Sequence, residues 1–271
     1  DAGYFTANVK RIGAHEVGTG KLDLNFVREG PIYQSDDWSQ LKARQPFFAQ
    51  INSHELEYDI YDRQSAKKAR VEWVGEREHV RHATPENVRP PPYYPDHPIV
   101  RAEWARFLNS VSGMDVRIGW VLEKLRAEGL EDDTVIVFFA DNGQLEPRGI
   151  HWCYDNGLRV PLIIKWPKNF PAPRGFRRGA VDAQIVSLID LAATTLGFAG
   201  VGRPPLMQGR VFLGEARGEP RQFAFAARDR IDETEQRIRS VHEQRYHYIR
   251  TYTQGPTFAS LNRYKEKCFP I

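Results

Sequence analysis

A chain of 271 residues with 41% hydrophobic content can bury a substantial core, in one large domain or one and a half. Its 38 basic and 35 acidic residues leave a net charge of +3, too balanced to point to a nucleic-acid partner. No apolar stretch approaches the ~20 residues of a membrane span, none has the pattern of a signal peptide, and Cys153 and Cys268 define neither a disulfide framework nor a metal cluster.

In chain order, Asp1–Ala7 has the pattern of a helix end, a glycine turn at Gly3 and the start of a strand. Residues 11–45 are mixed and polar, with Gly13, Gly18, Gly20 and Gly30 marking loops. Pro46–Asn52 is a short apolar strand that stops at Ser53-His54-Glu55, which puts polar groups at a strand end. Residues 57–98 are charged and then proline-rich, a long excursion with a short helix in it. From Ile99 the pattern turns helical: Phe107, Leu108, Val111, Met114, Ile118, Val121, Leu122 and Leu125 recur at spacings of three and four. Asp96 before Pro98 offers the N-terminal cap and Gly129 the stop.

The unbroken run Val135–Phe139 predicts a strand buried on both faces, as in a parallel sheet flanked by helices. It ends in Ala140-Asp141-Asn142-Gly143, and in open α/β sheets ligands bind just beyond the carboxyl ends of such strands. A carboxylate beside a side-chain amide supplies two hard oxygen donors of the type Ca²⁺ or Mg²⁺ prefers; the same three residues also make an ordinary turn. Ala183–Leu196 predicts a second helix, ending at Gly197 before Arg203-Pro204-Pro205. Gln222–Ala227, Ile238–His242 and Tyr246–Tyr252 then predict the antiparallel strands of a small subdomain. The domain boundaries implied are 1–205 and 206–271.

The stretch 134–167 resembles the sulfatase family. The resemblance lies in Asp141-Asn142-Gly143, Arg148-Gly149, Tyr154-Asp155-Asn156-Gly157 and the strand Val160–Pro167; it covers essentially the whole chain and is strongest at 134–167 and 183–213. It implies an α/β fold of the sulfatase and alkaline-phosphatase-like type, a mainly parallel sheet between helices, with a small antiparallel C-terminal subdomain. It also implies a sulfuric ester hydrolase acting on an organic or carbohydrate sulfate ester or sulfamate. Other readings on the same fold are a phosphonate or phosphodiester hydrolase, and a non-catalytic or inactive sulfatase-like chain.

What the family needs for catalysis is only partly present. Its nucleophile is formylglycine, made from Cys or Ser in a Cys/Ser-x-Pro-x-Arg motif, and these residues hold none, since Cys268-Phe269-Pro270 lacks the arginine. The resemblance therefore implies a segment of a longer protein with formylglycine upstream, and a segment that is inactive alone. Asp141 and Asn142 match the family's strand-end metal ligands for Ca²⁺ or Mg²⁺, two further aspartates lying upstream in the family. The lysine that follows Arg-Gly in the family is Ile150 here, with Arg148 and His151 as neighbouring substitutes. Lys10 is the nearest match to a second lysine, or a solvated surface residue. His54 stands three residues before the expected general acid, whose register holds Glu57; it is either that acid or a hydrogen-bonded structural histidine. Arg228, in the cluster Arg228-Asp229-Arg230, is either a surface ion pair or a lip of the pocket that holds an anionic substrate. Tyr246, Tyr248 and Trp166 are assigned to packing. The family is often exported, so a periplasmic or secreted location is the expectation, though the sequence does not fix the compartment.

Overall fold

The computed structural model describes residues 2–22, 27, 29–53, 82–254 and 262–263, which form two compact units that divide between Glu131 and Asp132. His54, Glu57, Cys268 and most of the excursion predicted for residues 57–98 lie outside the described residues.

The first unit is organised on β1 (Phe5–Ile12), which follows Gly3 at a φ of 77° as the glycine turn predicts. Phe5, Ala7, Val9 and Ile12 are buried along it. It pairs antiparallel with β2 (His15–Glu16) and parallel with both β3 (Ser35–Asp37) and β4 (Phe47–Gln50), which is the predicted Pro46–Asn52 strand. The long helix α1 runs from Pro98 to Ala127. Its cap is not Asp96 but His97, whose Nδ1 accepts the Ile99 N–H at 3.3 Å. Asp96 is instead drawn off by Arg101, whose guanidinium forks across both carboxylate oxygens. Pro98 takes the first helical position, where its missing N–H costs nothing. Lys124 and Arg126 sit in the last turn against the negative end of the helix dipole. Gly129, at a φ of 74°, ends the helix: its N–H and that of Leu130 reach back to Arg126 and Leu125, and both leucines are buried.

The second unit begins with β5 (Ile136–Phe139), paired antiparallel with β6 (Leu162–Lys165) in the register Ile136↔Lys165 to Phe139↔Leu162. This corrects the expectation of a strand buried on both faces within a parallel sheet. Among the described residues β5 has β6 alone for a neighbour, so Phe139 stays 45% and Ile163 60% exposed. A single helical turn, α2 (Asp155–Leu158), precedes β6. Trp166 just beyond it does pack, edge-on to Phe198 at 5.2 Å, with its indole N–H donating to the Pro171 carbonyl at 3.0 Å.

The second predicted helix is shorter and later than its apolar pattern suggests: α3 spans Ile189–Phe198. Residues 183–188 are not helical because Ile185 is taken into a β-bridge with Arg221. Asp190 then starts the helix by reaching back to the Ser187 N–H at 3.0 Å.

The three C-terminal strands are present as an antiparallel sheet: β7 (Ala224–Ile231), β8 (Thr234–His242) and β9 (His247–Thr251). Tyr246 and Tyr248, read from sequence as packing residues, are instead 66% and 61% exposed, because they lie at the β8–β9 turn and on the open side of the edge strand β9.

A glycine-laced loop as candidate metal and substrate site

Between β5 and β6 the chain makes a loop whose shape is held by main-chain atoms. Gly143 N–H donates to the Gly157 carbonyl at 3.1 Å, Gln144 N–H to Asn156 at 3.2 Å, and Ile150 N–H back to Gln144 at 2.7 Å. These approaches are possible only without side chains. A Cβ at Gly143 would stand 1.7 Å from the Asn156 oxygen, one at Gly149 would stand 1.9 Å from the Gln144 oxygen, and one at Gly157 would stand 2.3 Å from the Gly149 oxygen. The glycines of the Asp-Asn-Gly, Arg-Gly and Asp-x-Gly motifs are therefore one interlocked backbone unit.

Asp141 and Asn142 open this loop at the end of β5. They sit side by side, with the Asn142 amide donating to Asp141 Oδ1 at 3.0 Å, and neither is buried. The pair is neither splayed apart nor sealed. The oxygens of these two side chains are of the hard type that Ca²⁺ or Mg²⁺ takes, and the Asn142 oxygen would face such an ion only after its amide turned from the orientation that donates to Asp141. Two side chains are a minority of the six to eight oxygens that Ca²⁺ takes, so this pair would hold a cation only with donors from elsewhere.

Arg148 and His151 flank Gly149 and both occupy the left-handed backbone region, at φ of 68° and 85°. For residues with a Cβ that conformation costs on the order of 1–3 kcal/mol, a strain that clusters at functional sites. Arg148 lays its guanidinium over the Tyr154 ring at 4.5 Å, and His151 lies 6.5 Å from the Trp152 ring.

Arg228 is not the surface ion pair that its run of charges suggests. It lies within β7, 6% exposed, with its guanidinium over the Trp152 ring at 5.5 Å. Its Nε and Nη1 are buried and find no hydrogen-bond partner among the described residues. Burial holds its pKa below the usual arginine value, against the opposing pull of Cys153 and Tyr154. A register shift between Arg228 and Arg230 turns the rest of the cluster outward: Asp229 accepts from Arg239 at 2.9 Å, and Arg230 donates to the Asp232 carbonyl at 2.6 Å. A buried arginine without partners normally lowers stability. Arg228→Met should therefore leave thermal stability unchanged or raise it, as measured by melting. A large loss would mean the cation is a structural support.

Cys153, next to Trp152, is a buried free thiol whose pKa burial raises, partly offset by a hydrogen bond with Ser240 and by the charges of Arg228 and Arg239. Lys10 belongs to the first unit, on β1, where it forms an ion pair with Asp36 at 3.1 Å. The structure thus brings Asp141, Asn142, Arg148 and His151 onto one loop, with Arg228 packed beneath that loop's Trp152. It leaves Lys10 engaged with a carboxylate, and His54 lies outside the described residues. Sequence reasoning gave no role to Asp155, His242 or His247, although His247 Nδ1 lies 2.8 Å from Asp155 Oδ1. The available signal was a pair of histidines five residues apart across a turn between two alternating strands.

No helix among the described residues is long and apolar enough to cross a membrane. The chain is 36% identical over 177 residues to an ulvan-active sulfatase of Formosa agariphila, covering 65% of this chain and 29% of that protein. It is 35% identical over 120 residues to human N-sulphoglucosamine sulphohydrolase, covering 44% of this chain and 23% of the relative. The chain thus spans less than a third of the length of these relatives. The solved structure of the sulfatase-type protein yidJ of Bacteroides fragilis superposes with a TM-score of 0.50 at 20% identity, over 79% of this chain and 46% of that one, and shows the same fold. The C-terminal pattern of N-sulphoglucosamine sulphohydrolase matches residues 149–266. The sulfatase pattern itself matches residues 34–201, more than half of the chain, which belongs to the sulfatase family and has its alkaline-phosphatase-like fold.

Proposed function

We propose that this chain is part of a sulfuric ester hydrolase that acts on a saccharide sulfate ester or sulfamate, with a divalent cation held in part by Asp141 and Asn142. The observation that carries the reading is the placement of these two oxygen donors, adjacent and open to solvent, at the end of β5 on a frame of main-chain hydrogen bonds. The kinds of substrate named for the ulvan-active sulfatase and the N-sulphoglucosamine sulphohydrolase support the saccharide part of it. Calcium or magnesium, when bound, would polarise the sulfuryl oxygens. Asp141 supplies negative charge toward that cation, and Arg148 supplies a fixed fork of donors that suits sulfate oxygens. His151 is the imidazole on this loop that would hold or pass a proton, and His54, outside the described residues, is the other candidate for that role. The nucleophile, formylglycine in this family, comes from residues other than these 271.

Ile150, where the family carries lysine, favours a second reading as a non-catalytic sulfatase-like protein. One experiment separates the two. In protein that includes a Cys/Ser-x-Pro-x-Arg segment, nitrophenyl sulfate should be turned over in preference to bis-nitrophenyl phosphate. Asp141→Asn should weaken calcium binding by at least about tenfold, the scale at which lost metal support is felt. Preferential phosphodiester turnover would move the assignment to the neighbouring hydrolase class. No turnover at all would leave the non-catalytic reading. Unchanged calcium affinity in the variant would remove Asp141 from the metal site.

A further inference from the structure

The tip of the β8–β9 hairpin carries a second donor cluster, chemically unlike the first. His242 and His247 are register partners across that hairpin, so their side chains leave the same face of the sheet, with ring centroids 5.0 Å apart. The turn between them is closed by Glu243 N–H donating to the Tyr246 carbonyl at 2.9 Å. Asp155, the first residue of α2, meets them from the loop. Its Oδ1 lies 2.8 Å from His247 Nδ1 and 3.9 Å from His242 Nε2, and one ligand atom from each of the three residues falls within a common 4.8 Å. His247 Nε2 is buried with no partner among the described residues, so Nδ1 is the nitrogen that faces the cluster.

We propose that Asp155, His242 and His247 bind a transition-metal ion of the zinc class. Zinc takes imidazole nitrogen and carboxylate oxygen at about 2.0–2.2 Å in tetrahedral geometry, which places neighbouring ligand atoms about 3.3 Å apart. The two Asp155–His separations of 2.8 and 3.9 Å bracket that spacing and all three ligand atoms lie within 4.8 Å of one another, so rotation of the side chains brings them onto one ion. The side chain of His247 is 15% exposed, those of His242 and Asp155 are 39% and 52% exposed, so the open side leaves the fourth position to water. Two imidazoles with one carboxylate select zinc, copper or nickel over calcium, whereas Asp141 and Asn142 offer only hard oxygen; donor chemistry alone sorts the two ions. A bound ion would fasten the hairpin tip to the residue that follows Tyr154, and with it to the glycine-laced loop. This inference stands apart from the sulfatase reading and needs no catalytic competence.

The test is calorimetric titration of the chain with Zn²⁺ alone, with visible absorption of the Co²⁺-substituted protein as a second measure. One equivalent should bind, raise the melting temperature, and give the d–d bands of tetrahedral cobalt. His242→Gln, at a half-exposed position that folding tolerates, should weaken zinc binding by at least about tenfold. His247→Gln should do the same, while Asp141→Asn should leave zinc binding intact and so separate this site from the calcium site. Absence of zinc binding by the unaltered chain, or equal binding by the His242→Gln and His247→Gln double variant, overturns the proposal and leaves a plain Asp–His hydrogen bond.

Discussion

Gly143→Ala should lower the stability of the second unit by at least about 3 kcal/mol, the upper part of the range for overpacking. The added methyl would stand 1.7 Å from the Asn156 oxygen and within 2.7 Å of the Gly157 Cα, both backbone atoms with no rotamer to absorb the clash. Relief requires the strand-end loop to part from the start of α2, which breaks the hydrogen bonds from Gly143 to Gly157 and from Gln144 to Asn156. In a thermal melt the loss corresponds to a fall of about 6–12 °C for a chain of this size. The control is Gly113→Ala: Gly113 lies inside α1, an added Cβ there has nothing within 4 Å, and the change should stabilise by about 0.5–1 kcal/mol through helix propensity. If Gly143→Ala melts within a degree or two of the unaltered chain, the loop yields easily and its glycines are not the frame described above.

Asp190→Ala should cost about 3–5 kcal/mol, the usual effect of removing one partner of a buried ion pair. The Asp190 side chain is 1% exposed and takes the Arg221 fork on both oxygens at 2.6 Å, together with the Arg210 N–H at 2.7 Å and the Ser187 N–H at 3.0 Å. Removing it strands a guanidinium that is itself largely buried, frees two backbone donors, and releases the extended segment that Ile185 and Arg221 hold against each other. The same arrangement fixes an acid dependence. Burial pushes the Asp190 carboxyl upward, but the Arg221 fork and the two backbone N–H groups outweigh it, so its pKa lies below the ordinary value of 3.8. The folded chain then binds fewer protons than the unfolded one as pH falls below about 4. The stabilisation is complete above the unfolded pKa and is lost as pH falls through the lower native one. Denaturant melts between neutral pH and pH 3 should show this decline in the unaltered chain and a shallower one in Asp190→Asn.

The residues that announced structure most clearly in the sequence are those whose role is local. The α1 periodicity, the Gly129 stop, the Pro46–Asn52 strand and the three C-terminal strands depend on neighbours a few positions away, and they stand near where the pattern put them, although β7 runs on to Ile231 and β8 starts at Thr234. What was misread depends on distant partners. Asp96 was the better cap on propensity, yet Arg101 competes for it and His97 takes the position. Ile185 fits a helical pattern, but its bridge to Arg221 pulls it into extended chain. Arg228 looked like surface charge in an arginine-rich run, and only the β7 register shift reveals that it alone of the cluster turns inward beneath Trp152. Within the candidate site, the strand-end placement of Asp141 and Asn142 was legible because both follow an apolar run directly. The Asp155–His242–His247 cluster was not, because it needs the β8–β9 register and a contact that spans 92 residues.

The loop between β5 and β6 is steered in large part by carbonyls, amides and missing methyl groups. Ile150 rides on that main-chain frame, its N–H fixed to the Gln144 carbonyl. A side chain at a position such as 150 can be exchanged on a frame of this kind while the curve that carries it stays the same.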